Sequence, residues 1–220
     1  MFDKNARIQE MLEDTLNNHN KIWVITDWHM VRYDKQTTKV YNRKDYLQIL
    51  LQANRIIGKD DMVINLGDTV DSEIEDKRRI KDIIQRYHGK YKVMTIGNND
   101  SFEPEFYESC GIDCCVYAFT WHDIVFTHCP IPNQSRYNVH GHLHVGDPDW
   151  TLSWYWRQYD IKRKNHINAF NPKRAPVDLL PLINAGTNWE VLDPIGDAPK
   201  PKPLVVDLLN KTLAEYNEIK

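Results

Sequence analysis

Three short apolar runs constrain the fold more than anything else in the chain: residues 21–26 (KIWVIT), 62–66 (MVINL) and 91–96 (YKVMTI). Each is free of breakers and rich in β-branched or large apolar residues, so each reads as a short buried strand. The segments between them carry helical periodicity. Residues 43–57 place Tyr46, Leu47, Leu50, Leu51 and Ile57 at helical spacing before Gly58, and residues 73–88 form a charged helix stopped by Gly89. A further helix runs up to about Asn20, with Ile8, Met11, Leu12 and Leu16 on one face. Strand and helix thus alternate through the first hundred residues, as in βαβ units.

Beyond that point the rhythm changes. Residues 113–120 and 123–127 read as two strands joined at Trp121-His122, with further strands expected at 137–140, 177–183 and 204–208 and a closing helix from Asn210. An α/β first half and a strand-rich second half imply two stacked sheets flanked by helices. At 220 residues the chain suits a single domain over 1–220, with 1–20 as a helical extension.

Composition narrows the setting. With 41% apolar and 27% charged residues, the chain reads as an ordinary globular protein. No apolar run approaches membrane-spanning length and the N-terminus lacks a signal-peptide core, so a cytoplasmic protein without a membrane partner is expected. Cys110, Cys114, Cys115 and Cys129 are too few for a disulfide framework, and CGIDCC lacks paired C-x-x-C zinc spacing, so reduced buried thiols are expected. A net charge of −3 makes the whole molecule no general attractor of nucleic acid.

The chemistry sits at the carboxyl ends of the expected strands. Asp27-Trp28-His29 follows the first, Gly67-Asp68-Thr69-Val70-Asp71 the second, and Gly97-Asn98-Asn99-Asp100 the third. His128 ends DIVFT, and Gly141-His142-Leu143-His144 follows YNVH. In open α/β sheets ligands bind outside the carboxyl ends of strands, so these five motifs should converge. Residues two apart in extended chain face the same way, so Asp27 and His29 can grip one ion. His142 and His144 share that spacing but in a loop can splay toward two ions. Asp68 has two oxygens and can bridge, and Asn98 offers a neutral oxygen. Imidazole and oxygen donors suit manganese, iron, zinc, cobalt or nickel without deciding among them. Each motif alone has a bland reading as an ordinary loop; five in order after strands do not. Two divalent ions offset only by Asp27 and Asp68 leave a positive site, which favours a phosphate ester gaining negative charge.

In this order and spacing, Asp27/His29, Asp68, Asn98, His128 and His142/His144 resemble the calcineurin-like metallophosphoesterase superfamily over residues 21–195, with GKDDMVINLGD and INAGTNWEVLDPI similar to its small bacterial and phage members. The resemblance implies an αββα four-layer sandwich of two mixed sheets. It also implies two metal ions, with Asp27, His29 and His144 on one, Asn98, His128 and His142 on the other, and Asp68 between them. Asp71 and Asp100 match positions that orient loops and ligands. The implied reaction is hydrolysis of a phosphate ester by in-line attack of a metal-bridging hydroxide.

Two departures from the pattern carry information. The superfamily usually has histidine after the motif asparagine, where it protonates the leaving group; here Asn99 stands there, and an amide is no general acid though it can bond a phosphoryl oxygen. Phosphatase members usually carry arginine after GDxxD, and here it is Ser72. Both favour a phosphodiesterase over a phosphomonoesterase. The alternative function is a metal-stabilised nucleotide or nucleic-acid binding module with little turnover. Arg32, near the first metal loop, is a candidate phosphate contact, while His122, Asp123 and His140 read as turn or supporting residues. Residues 150–174 combine Arg157, Lys162, Arg163, Lys164, Lys173 and Arg174 with several aromatics. The segment reads either as an insertion for a nucleotide or nucleic acid or as aromatics packed on the sandwich.

Overall fold

The computed structural model describes residues 3–34, 39–42, 46–70, 76–131, 137–142, 166–168, 211 and 214–219, with the backbone alone at 31–34, 39–42, 46, 48, 49, 52 and 166–168. The strands expected at 177–183 and 204–208 and most of 150–174 lie outside these residues. In chain order the elements are α1 (Lys4–Asn17), β1 (Ile22–Ile25), β2 (Val31–Asp34), β3 (Lys39–Asn42), α2 (Tyr46–Ile56), β4 (Met62–Asn65) and α3 (Lys77–Arg86). Then follow β5 (Tyr91–Thr95), α4 (Pro104–Cys110), β6 (Cys114–Val116), β7 (Ala118–Trp121), β8 (Ile124–Thr127), β9 (Tyr137–His140) and β10 (His166–Asn168).

One sheet has the order β1-β4-β5-β6 and is parallel throughout its described pairs. Its residues alternate between two apolar clusters. Val24, Ile64, Val93 and Cys114 share one cluster with Phe119, Phe126 and Val139 of the second sheet. Ile25, Val63, Met94 and Cys115 share the other with Leu50 and Ala53 of α2, Ile80, Ile83 and Ile84 of α3, and Tyr107 and Cys110 of α4. A parallel sheet covered on both faces needs apolar residues at every position, which is why its strands appear as unbroken runs. Among the described residues the second sheet, ordered β10-β9-β8-β7, is mixed: β7 and β8 are antiparallel, and the other pairs are parallel. Helical crossovers between β1, β4 and β5 account for the parallel order of the first sheet's described strands.

Helix α1 starts at Asp3, whose carboxylate accepts the Ala6 N–H, and buries Ile8, Met11, Leu12 and Thr15. Leu16, expected on that face, is 44% exposed. Thr15 takes the buried position instead, because its hydroxyl donates to Met11 O and is not left unsatisfied. Each apolar side chain so buried is worth about 1.5–3 kcal/mol relative to leaving it in water. On α2, Leu50 is buried but Leu47 and Leu51 face solvent, so the packed stripe is narrower than the sequence implied.

Three further differences have local causes. The strand expected over 113–120 is split at Tyr117, with β6 in the parallel sheet and β7 in the mixed one. The Tyr117 N–H is taken by the Glu215 carboxylate at 2.7 Å, so that residue joins neither ladder and the chain turns between sheets. Helix α3 ends at Tyr87 in extended conformation, two residues before Gly89. Helix α4 and the β2–β3 hairpin are additions to the sequence reading. The α4 boundary follows from Pro104 in the first turn and Gly111 in left-handed conformation just past the end. The closing helix includes residues 214–219, with Tyr216 buried in the helix-side cluster.

Candidate metal centre

The loops after β1, β4, β5, β8 and β9 meet at one end of the two sheets. Asp27 N–H donates to Gly67 O at 2.8 Å and His29 N–H to Asp68 O at 3.0 Å, which joins the first loop to the second. Gly141 N–H donates to His128 O at 3.0 Å, and His142 N–H to the Asp27 carboxylate at 3.0 Å, which brings the last loop against the first. The close approach requires glycine. A Cβ on Gly97 would collide with the Asp68 carboxylate, and one on Gly141 with the side chains of Thr26 and Asp27.

Backbone strain collects at the same place. Asp27, His29, Asp68 and His142 have φ of 54°, 44°, 56° and 63°, four of the six non-glycine residues with positive φ among the described residues. Left-handed backbone is uncommon for such residues and costs on the order of 1–3 kcal/mol each, so it persists where surrounding structure enforces it. The enforcement is visible in Asp100. Its carboxylate accepts the N–H groups of Gly97 and Asp68 at 2.8 Å each and of Thr69 at 3.2 Å, clamping two loops together.

The strained residues point donors at one another. Ligand atoms of Asp27, His29 and Asp68 lie within 4.8 Å of each other, as do those of His128, Cys129 and His142, and all six residues are buried. His29 Nε2 lies 3.8 Å and His128 Nε2 3.4 Å from the same Asp68 oxygen. His128 Nδ1 is 2.7 Å from Leu66 O, an acceptor only, so Nδ1 carries a proton and Nε2 is the end that faces Asn98 Oδ1 at 3.0 Å. This is the arrangement in which a backbone carbonyl orients an imidazole for a cation on its other nitrogen.

Electrostatics supports a cation. Burial would raise the Asp68 pKa, yet the neighbouring His128 and His29 hold it below the ordinary carboxylate range. Burial would likewise keep His128 neutral, yet Asp68 and Asp27 push its pKa up to about 9. The proton drawn onto His128 is the positive charge a metal ion would replace. Burial and the Asp68 charge push Asp100 up to about 7 despite its amide donors. The donor set of carboxylate, imidazole and amide oxygen fits divalent metal ions.

Of the expected site residues, Asp27, His29, Asp68, Asn98, Asn99, His128 and His142 come together. His144 and Asp71 lie outside the described residues, as does Ser72, and Arg32 is placed only as backbone in β2. Asn99 donates to Asp68 twice, from its backbone N–H at 2.8 Å and its side-chain amide at 2.7 Å. Two participants escaped the sequence reading. Thr26 donates its hydroxyl to Asp27, a role signalled only by its position at the strand end. Cys129 lies close to His128 and His142 while packing in the same helix-side cluster as Cys110 and Cys115; Cys114 packs on the other side of the parallel sheet. His140, buried beside the site, has Nδ1 2.8 Å from Gly141 O, and burial lowers its pKa to about 4.

The calcineurin-like phosphoesterase family matches residues 20–195 of this chain. No curated protein matches it. Among solved structures it is similar to a protein of unknown function from Aquifex aeolicus, at 18% identity over 67% of this chain and 88% of that one, with a TM-score of 0.41. It is also similar to the Pseudomonas putida nuclease MPE, at 18% identity over 55% of this chain and 60% of that one, with a TM-score of 0.38. The family match spans most of the sequence and all the loops just described, and the chain belongs to the calcineurin-like phosphoesterases, metal-dependent hydrolases of phosphate esters.

Proposed function

We propose that the chain holds two divalent ions and acts on phosphodiesters, or other phosphate esters with good leaving groups. Asp27, His29 and His144 would hold one ion, Asn98, His128 and His142 the other, with Asp68 shared. Bound ions at such a site supply Lewis acidity and activate water at neutral pH. The chain's own residues position and hold charge. Asp100 fixes the loops that carry Asp68 and Asn98, Leu66 O orients His128, and Thr26 orients Asp27. Asp71 is assigned an orienting role and Arg32 a phosphate contact, each from sequence position.

The observation that carries the diester reading is Asn99. Its side chain is an amide whose N–H is donated to Asp68, so it offers no titratable proton to a departing alkoxide. An ester whose leaving group departs readily as an anion needs no such proton. Hydrolysis of a nitrophenyl phosphodiester and the matching monoester, after chelation and after metal add-back, tests the reading. The expected result is metal-dependent turnover with the diester preferred. Full activity in stripped protein, or preference for the monoester, overturns it. In the same reading the basic and aromatic residues of 150–174, a segment whose residues 166–168 form β10 beside β9, contribute contacts to a nucleotide or nucleic-acid substrate. Replacing Lys162, Arg163 and Lys164 with alanine should then weaken oligonucleotide binding, most at low salt, and spare the nitrophenyl ester.

A further inference from the structure

The two groups of converging donors differ in kind. Asp27, His29 and Asp68 present two carboxylates and one imidazole, a hard set. His128, Cys129 and His142 present two imidazoles and a sulfur within 4.8 Å of one another, all buried. The rings of His128 and His142 are 5.1 Å apart, and His128 is already oriented by its bond to Leu66 O. Nothing in the order of strands and loops required a thiol at this point. An apolar side chain of similar size would have filled the space at position 129, which is 0% exposed.

We propose that Cys129 is a thiolate ligand of the ion held by His128 and His142, and that it makes this position selective for zinc or a similarly soft ion over manganese. The inference rests on the two-ion reading above. Binding replaces the S–H bond with a sulfur–metal bond and releases the proton to solvent; a coordinating thiol is deprotonated outright. Soft sulfur strengthens the preference for zinc over manganese beyond that of the carboxylate-rich partner position. One protein would then carry two unlike ions, with the softer one on the second sheet's side.

Cobalt(II) substitution reads the sulfur directly. Stripped wild-type protein titrated with cobalt should develop visible ligand-field bands and, with them, a near-ultraviolet thiolate-to-cobalt charge-transfer band. Cys129→Ser and Cys129→Ala should lose the charge-transfer band and keep ligand-field absorption. Competition between zinc and manganese, followed by metal content, should show the zinc preference of the wild type falling about tenfold or more in Cys129→Ser. Loss of even an outer partner of a ligand costs roughly 10–100-fold in affinity. Cobalt bound by wild type without a charge-transfer band, or a band that survives Cys129→Ser, overturns the assignment and leaves the two-ion reading standing. No cobalt bound by wild type overturns both. The wild-type spectrum decides the matter even if a variant fails to fold.

Discussion

Two buried aspartates stand at opposite ends of β4 and do unlike things. Asp61, before the strand, accepts the N–H groups of Lys21 and Gly58 at 2.9 and 2.8 Å and the Trp23 indole N–H at 2.6 Å. Burial opposes its ionisation, but these donors hold its pKa below the ordinary value. Asp68, after the strand, sits in left-handed backbone with two imidazoles aimed at one of its oxygens. The residue type is the same and both are taken from water. The first is satisfied by fixed N–H donors and closes a structural seam; the second accepts two N–H groups from Asn99 and in addition faces imidazoles that themselves compete for a cation. What faces a buried carboxylate, rather than its burial, separates structure from function.

The largest effect expected from breaking this contrast is on turnover. Asp68→Ala should reduce metal-dependent activity by about 100-fold or more, since lost outer partners alone cost roughly 10–100-fold in metal affinity. Thermal unfolding should stay cooperative and bound metal should fall. Retention of most of the activity would misplace the site. His128→Ala should behave alike.

Asp61→Ala should invert the pattern. Three donors lose their acceptor, two of them backbone N–H groups, so stability should drop by about 1–3 kcal/mol in denaturant unfolding. Turnover per folded molecule should not change. A loss of activity without a loss of stability would erase the distinction between the two ends.

Asn99→His sharpens the functional end. If position 99 lacks a proton donor, an added imidazole should raise rates for poor leaving groups by on the order of tenfold, below the 10²–10⁴ of an optimised acid. Nitrophenyl esters should gain little. A leaving-group dependence that is flat in the parent enzyme, with chemistry rate-limiting, would show that the proton already comes from elsewhere.

Glu215 offers the smallest and subtlest test, a carboxylate of neither kind. It accepts one N–H, from Tyr117, and burial lifts its pKa to about 7 from the ordinary 4.5. Between those values the folded state holds a proton that the unfolded state has lost. Its favourable contribution is therefore full below about 4.5 and disappears as pH rises through about 7. Glu215→Gln keeps the acceptor and never ionises. Melting temperatures should thus show the variant gaining on the parent as pH rises from 5 to about 8, by roughly a few degrees at most. A constant difference across that range would rule out burial of the charge as the cause.

Much of this was legible in the sequence where chemistry is local. MVINLGD announces a buried strand, a tight turn and a carboxylate in seven residues, and β1 and β5 end in similar motifs. Helix α4 was legible too, through Pro104 and Gly111, although the sequence reading passed over it. What stayed hidden depends on distant partners. The break at Tyr117 is made by a carboxylate 98 residues away. The exposure of Leu47 and Leu51 depends on which neighbours cover α2. Cys129 reads as an ordinary buried thiol until its strand end is seen beside the loop that carries His142.

The contact between His142 N–H and Asp27 also sets a timetable. Its two residues are 115 apart in the chain, and a ribosome releases the first long before the second. Asp27, Asp68 and Asn98 are all made before either His128 or His142, so a chain that has not yet reached His128 holds the acidic half of the pocket without the imidazoles of its last two loops. Closing so long a segment onto a parallel sheet is among the slower steps available to a folding chain. The pocket's described residues thus come together only once the loop carrying His142 has been made.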